Sequence, residues 1–249
     1  MPVSQHRQTA DLVVDHDAGR FFQGVKRYGF HGLSYDWIAH CLRSDYPHLA
    51  SGRIVAAHLG NGASLCAIQN GRSIDTTMGM TALDGLPMGR RCGALDPGIV
   101  LYLIEERGMT PAEVREMLYE RSGLVGLSGV SSDMVELLNS DAPAAVAAVA
   151  FFVYRCRREV GSLAAALGGL DGLVFTGGVG ENAPLIRERI CADLGWLGVG
   201  IDRQANDDGA IQISPRTEKV GVFVIPTDEE QVLARGAEQV LRDGTGTTG

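Results

Sequence analysis

Lysine, paired cysteines and long apolar runs are scarce in this sequence of 249 residues. Lysine occurs only at Lys26 and Lys219, and neither follows a glycine, so the Gly-Lys-Ser/Thr loop of Walker-type nucleotide-binding proteins is excluded. The five cysteines include no C-x-x-C pair, and we expect reduced, mostly buried thiols. The longest apolar run, residues 142–154, is shorter than the roughly 20 residues that a membrane-spanning helix needs.

The charge pattern argues against a nucleic-acid-binding protein. The formal net charge is -8, and the basic residues are scattered rather than clustered in a stripe. The first twenty residues contain histidine and aspartate at spacings that fit no standard metal site, and they show no signal-peptide pattern. We therefore expect a cytoplasmic globular protein that binds neither nucleic acid nor membrane.

Strand-like and helix-like segments alternate along the chain, which is typical of a layered α/β fold. Capping signals support two of the helices: Asp96 with Pro97 at one start, and a Thr110/Glu113 capping box at the other, for which Gly123 is the expected end. The expected strands are residues 54–57, 64–68, 172–178 and 220–226. The expected helices are residues 97–108, 110–123, 141–167, 184–198 and 228–241.

A short turn, Gly60-Asn61-Gly62, joins the first two expected strands. Asn-Gly is a strong hairpin signal because both positions tolerate positive φ. Glycine also allows a backbone to approach a ligand closely. Two interpretations stay open from the turn alone: a structural hairpin, or a hairpin whose amides face a phosphate chain.

A second glycine cluster lies where a buried strand runs into residues 177–180, followed by Glu181, Asn182 and a helix. Free amides at a helix N-terminus favour anions, so this cluster predicts a phosphate site. A dinucleotide-binding motif is disfavoured because no acidic residue ends a second strand about 20 residues later. A glycine cluster that serves packing only remains the alternative.

Six motifs in order resemble the acetate kinase family: "RYGFHGLS" (27–34), "HLGNGAS" (58–64), "DTTMGMTALDGLPMGRRCGALDPG" (75–98), "SGVSSD" (128–133), "FTGGVGEN" (175–182) and "IPTDEE" (225–230). The resemblance implies the α/β, ribonuclease-H-like fold of the actin, sugar-kinase and heat-shock ATPase superfamily, a mixed sheet flanked by helices. It further implies conversion of ATP and acetate to ADP and acetyl phosphate with Mg²⁺. The matched domain is residues 24–242, after a poorly matched segment 1–23 and before a flexible tail 243–249.

The resemblance also implies roles for particular residues. His31 and Arg91 match the groups that contact the phosphoryl group in transfer, and Glu229 matches the Mg²⁺-associated glutamate, with Glu230 as its near alternative. Three segments match the nucleotide site: His58, Leu59, Gly60, Asn61 and Gly62; Asp133, Met134 and Val135; and Gly178, Val179, Gly180, Glu181 and Asn182. The family usually has an arginine after the Asp133 position. Met134-Val135 stands here instead, which predicts weaker nucleotide binding.

The largest departure is at the start of the chain. The family's "N-A-G-S-S-S" hairpin, an arginine of the acid pocket and the "F-D-T-A-F-H" aspartate have no counterpart in this sequence. We therefore expect the family's C-terminal domain, with activity that depends on a homodimer or on a missing N-terminal domain. The alternatives are a non-catalytic nucleotide-binding or interaction module, and a kinase for propionate or butyrate.

Overall fold

A mixed β-sheet forms the centre of the protein. The computed structural model describes residues 27–244, and within them five strands are ordered β3-β2-β1-β4-β5. They are β1 (Arg53–Leu59), β2 (Ala63–Gln69), β3 (Arg72–Thr76), β4 (Gly172–Thr176) and β5 (Gly221–Val224). The β1–β2 and β2–β3 pairs are antiparallel, whereas β1–β4 and β4–β5 are parallel. The expected α/β class with a mixed sheet is confirmed.

Helices cover both faces of this sheet. On one face, Val55 and Phe175 pack in a cluster with Phe152 of the long helix Pro143–Leu167; on the other, Ile54 and Val174 pack with the helix Gly32–Asp45. Strands buried on both faces read as continuous apolar runs, which is why β1 and β4 were recognisable in the sequence. The helices are α1 (Gly32–Asp45), α2 (Pro47–Ala50), α3 (Pro97–Glu105), α4 (Pro111–Glu120), α5 (Gly123–Ser128), α6 (Met134–Leu138), α7 (Pro143–Leu167), α8 (Gly177–Asn182), α9 (Pro184–Cys191), α10 (Arg203–Asp207) and α11 (Glu229–Gly244).

The helix ends test the predicted capping signals. Asp96 caps α3 through the Gly98 amide, and the Thr110/Glu113 capping box of α4 is present, so both predictions are confirmed. Gly123 as the end of α4 was wrong: α4 ends at Glu120, and Gly123, with φ 61°, begins α5. A Cβ on Gly123 would lie 2.1 Å from the Met88 carbonyl oxygen, so the glycine permits close contact with the neighbouring loop.

The two Asn-Gly pairs of the sequence behave differently. Asn70 and Gly71, between β2 and β3, have φ of 52° and 66°. None of residues 60–62 has a positive φ, although they join β1 and β2 as expected. The prediction of a positive-φ Asn-Gly turn was therefore wrong at Asn61-Gly62, and the glycines there need another explanation.

The structure also bears on the predictions about the cysteines, membrane-spanning helices and the ends of the chain. All five cysteines are free thiols; Cys66, Cys156 and Cys191 are buried, and burial raises the pKa of Cys66 to about 12. Within residues 27–244, no helix is both long and apolar enough to cross a bilayer. Helix α11 runs to Gly244, two residues into the expected tail. The segment 1–23 and the remainder of the tail lie outside the described residues.

Candidate functional site

His31 and Arg91 meet over the backbone of Gly62. A Cβ added to Gly62 would lie 2.8 Å from Arg91 Nη2 and 3.3 Å from His31 Nε2. This close approach explains the glycine, since any side chain would displace both groups. The structure therefore brings together the two residues for which the sequence predicts contact with a transferring phosphoryl group, although their positions are 60 apart in the chain.

Hydrogen bonds from the side chain and the neighbouring backbone hold Arg91 in place. Its Nη1 donates to the Ala82 carbonyl at 2.7 Å. The Met88 amide donates to the Arg91 carbonyl at 3.0 Å, and the Ser122 amide donates to the Arg90 carbonyl at 2.9 Å. With one guanidinium nitrogen anchored, the other end of the planar group points over Gly62 in a fixed orientation.

His31 stands at the start of α1 with left-handed backbone geometry, φ 60° and ψ 27°. Its ring stacks on the ring of His58, with 4.1 Å between centroids and 16° between planes. Burial, His58 and Arg91 together lower the pKa of His31 to about 3, with burial the largest cause. Burial also lowers the pKa of His58. The His31 imidazole is therefore neutral near pH 7 and can donate or accept a hydrogen bond.

Sequence reasoning missed the polar groups behind these rings. Ser64 Oγ lies 2.8 Å from His31 Nδ1, and Ser34 Oγ lies 2.9 Å from His58 Nδ1. The Tyr35 hydroxyl lies 2.5 Å from Ser64 Oγ, and Thr227 donates to Ser34 Oγ at 3.1 Å. One signal was available: Ser64 is the polar residue in the otherwise apolar run at residues 64–68.

A cavity of about 270 Å³ opens beside the turn at residues 60–62. This volume is at the lower end of the roughly 300–1,000 Å³ typical of small-molecule sites. Five predicted nucleotide residues line it together with Leu124 and Ser132: Gly60, Asn61, Asp133, Met134 and Val179. A larger cavity of about 570 Å³ lies along α4 and is lined by none of the predicted site residues.

Other predicted nucleotide residues lie outside the cavity lining. Leu59 is fully buried in the core, so only its backbone is available to a ligand. Val135 is 64% exposed at the start of α6. Asp133 caps that helix, since its Oδ1 accepts the Val135 and Glu136 amides at 2.7 and 3.1 Å.

The second glycine cluster differs from the expected turn. Residues 177–182 already form the short helix α8, and its first amide is not free: Gly177 N–H donates to Glu181 Oε1 at 2.8 Å. Thr227 N–H donates to the same oxygen at 3.1 Å. The protein's own Glu181 carboxylate therefore takes the Gly177 amide, one of the groups expected to be free at this helix start. Gly178 is exposed, and an added Cβ there would meet open space.

Glu229 begins α11 and is partly exposed, with Glu230 beside it. Within residues 27–244, no group of three or more histidine, cysteine or acidic side chains is arranged to hold a metal ion. A single carboxylate still suits Mg²⁺, which is commonly bound by one or two carboxylates together with waters and substrate phosphates.

The order and direction of the five described strands, with helices on both faces, define a domain of the ribonuclease-H-like fold. The sequence model of the acetokinase family matches residues 17–235, and the chain belongs to this family. It is 59% identical over 216 residues to acetate kinase of Rhodopseudomonas palustris (strain TIE-1), and 56% identical over 217 residues to that of Methylocella silvestris. These alignments cover 86% and 87% of this chain and 54% of each relative.

Solved structures agree with this assignment. The crystal structure of Porphyromonas gingivalis acetate kinase matches with a TM-score of 0.87 and 39% identity, over 96% of this chain and 61% of that one. A propionate kinase from Francisella tularensis matches with a TM-score of 0.83 and 35% identity, over 91% of this chain and 59% of that one. The chain spans about half the length of the curated relatives it matches.

Proposed function

We propose that this chain is the nucleotide-side domain of an acetate-kinase-type phosphotransferase, converting ATP and acetate to ADP and acetyl phosphate. The observation that carries the proposal is the convergence of His31 Nε2 and Arg91 Nη2 over Gly62. A carboxylate oxygen of acetate attacks the γ-phosphorus of ATP, and the bond from that phosphorus to the ADP oxygen breaks. Catalysis of such a transfer consists mainly of positioning and of stabilising charge on the phosphoryl oxygens.

His31 and Arg91 supply that stabilisation with different chemistry. Arg91 carries a permanent charge and a rigid set of donors, and its anchored Nη1 fixes where Nη2 points. His31 is neutral, so it contributes a hydrogen bond without a second full charge beside the guanidinium. Removal of a single donor of this kind typically costs about a hundredfold to a thousandfold in turnover.

The nucleotide is assigned to the cavity beside residues 60–62. Its phosphates run along the backbone of residues 58–62 (His58, Leu59, Gly60, Asn61, Gly62), and its nucleoside lies toward Asp133, Met134, Val135 and residues 178–182 (Gly178, Val179, Gly180, Glu181, Asn182). Glu181 acts through its bonds to the Gly177 and Thr227 amides, which hold α8 in place. Glu229 would hold Mg²⁺ together with phosphate oxygens, and the ion would neutralise charge on the phosphates when bound.

We further propose a domain at residues 24–242 that acts in the cytoplasm. Because phosphoryl transfer requires that water be excluded, a second wall for the cleft must come from another domain or from a second copy of the chain. Its substrates are the small molecules ATP and acetate. Propionate is a second candidate acid because a propionate kinase is among the similar structures.

The test is ATP formation from acetyl phosphate, ADP and Mg²⁺ by the purified chain, with Arg91→Ala as the control for contaminating kinase. Turnover that the variant lacks supports the proposal. The same assay with propionyl phosphate compares the two acids. Nucleotide binding without turnover, either alone or with a purified N-terminal half of a relative, would favour a non-catalytic nucleotide-binding module.

A further inference from the structure

The stacked rings of His31 and His58 are each backed by a buried serine. Both Nδ1 atoms end on serine hydroxyls, those of Ser64 and Ser34, at 2.8 and 2.9 Å. Neither serine has exposed surface, so water cannot substitute for a missing hydrogen-bond partner. The direction of each bond is therefore determined by the groups behind the serine.

Behind Ser64 lies the hydroxyl of Tyr35. Burial raises the pKa of Tyr35 well above its usual range, so the phenol keeps its proton. Ser64 Oγ lies 2.5 Å from the phenol oxygen. Among the side chains of residues 27–244, Ser64 is the hydrogen-bond acceptor within reach of the Tyr35 hydroxyl proton. Tyr35 therefore donates to Ser64, and the Ser64 proton is left to bond His31 Nδ1.

We propose that the Tyr35–Ser64 hydroxyl pair fixes His31 in the tautomer that carries its proton on Nε2, so that the ring donates a hydrogen bond where Arg91 also donates. Tyr35 and Ser64 are thus positioning residues that act through His31. The opposite tautomer would aim a lone pair at the same point and would repel an anionic oxygen there. It would also leave one of the two hydroxyl protons, that of Ser64 or that of Tyr35, without an acceptor among the described side chains, an arrangement that is costly in a buried site.

The arrangement around His58 supports this interpretation. Thr227 donates to Ser34 Oγ, which leaves the Ser34 proton for His58 Nδ1. Two stacked rings with the same hydroxyl backing would both present Nε2–H groups to the cleft. The ligand for these donors, a phosphoryl group, rests on the proposed function, whereas the tautomer is a property of the free chain.

The experiment is nitrogen NMR of the complete, ¹⁵N-labelled chain without ligand at pH 7, using two-bond correlations within the imidazole rings. A His31→Asn variant assigns the His31 signals by their disappearance. We expect a pyridine-type signal for Nδ1 and a proton-bearing, pyrrole-type signal for Nε2. A proton on Nδ1, or a doubly protonated ring, would overturn the proposal without any need for a further variant.

Two variants then test the source of the preference. Ser64→Ala and Tyr35→Phe should each convert the single tautomer of His31 into a mixture. Tyr46→Phe, at a tyrosine packed against the core cluster that contains Tyr35, should leave the tautomer unchanged. An unchanged single tautomer in the first two would refute the role of the hydroxyl pair. Absence of turnover with the Nε2–H tautomer present would defeat the proposed function alone, so the two failures are distinguishable.

Discussion

Arg187 and Asn206 form a buried pair that holds the end of α8. Arg187 is 1% exposed, and its Nε and Nη2 donate to Oδ1 and the carbonyl of Asn206 at 2.8 and 2.9 Å. Its Nη1 donates to the carbonyls of Gly180 and Glu181 at 2.9 and 2.8 Å. Neutral oxygens receive all four bonds, so the guanidinium connects α8, α9 and α10.

Replacement of Arg187 should therefore destabilise the fold through hydrogen bonding. We expect Arg187→Met to lower the free energy of unfolding by about 3 kcal/mol, because it leaves several buried carbonyls unpaired. Urea denaturation measures the change, and Arg189→Met, an exposed arginine on the same helix, is the matched control. Equal, small losses in both variants would contradict the role given to the buried pair.

The two converging donors should be separately important for turnover. Arg91→Ala and His31→Ala should each lower the rate of phosphoryl transfer by at least about a hundredfold, the scale for loss of one transition-state donor. Steady-state kinetics of ATP formation measures the effect, with an unfolding curve for each variant. Wild-type-like rates in either variant would remove that residue from the proposed site.

Gly62 offers a more selective test, since a side chain added there would crowd both donors. Gly62→Ala should reduce turnover by roughly tenfold to a hundredfold, because the methyl group displaces the Arg91 guanidinium. The free energy of unfolding should change by less than about 1 kcal/mol. Gly236→Ala, at an open position in α11, controls for the general effect of replacing glycine. Full activity in Gly62→Ala would show that the close approach is not needed.

Gly178 tests the nucleotide side of the site. A valine there meets open space within the protein, so the chain should fold normally, but the side chain would project into the region assigned to the nucleotide. We expect Gly178→Val to abolish the increase in unfolding temperature caused by ADP and Mg²⁺. Gly236→Val should keep that increase. Undiminished protection in Gly178→Val would make the second glycine cluster purely structural.

The pKa of about 3 for His31 predicts acid sensitivity. In the unfolded chain the His31 imidazole becomes protonated as the pH falls through its ordinary pKa near 6.5. In the folded chain it becomes protonated only near pH 3. Stability is therefore fully present above about pH 6.5 and falls between pH 6.5 and 3, by up to about 1.4 kcal/mol per pH unit from this group. Unfolding of wild type and His31→Asn between pH 6.5 and 3 measures the contribution of His31 to the pH dependence of stability. Parallel curves would show that His31 titrates normally.

The buried strands and two helix caps were predicted correctly from the sequence. The runs at residues 54–57 and 172–176 are continuous because helices cover both sheet faces, and the caps at Asp96 and Thr110 depend on neighbours within three residues. Local chemistry of this kind needs no tertiary information. An error arose where a group distant in the chain intervened, since Gly123 contacts the loop at Met88 rather than ending a helix. The bond between the Gly177 amide and Glu181, within α8, is local, but the glycine pattern did not predict it.

By itself the sequence determined the layered α/β class, the places of four of the five described strands and five of the eleven described helices and, through its ordered motifs, the family. Only the tertiary structure decided that His31 and Arg91 meet over Gly62, and that Tyr35 and Ser64 stand behind the histidine. The physical reason is that direction and distance between side chains far apart in the chain are set by sheet register and loop closure. A linear pattern carries the identity of those groups, but not the orientation of their protons and lone pairs.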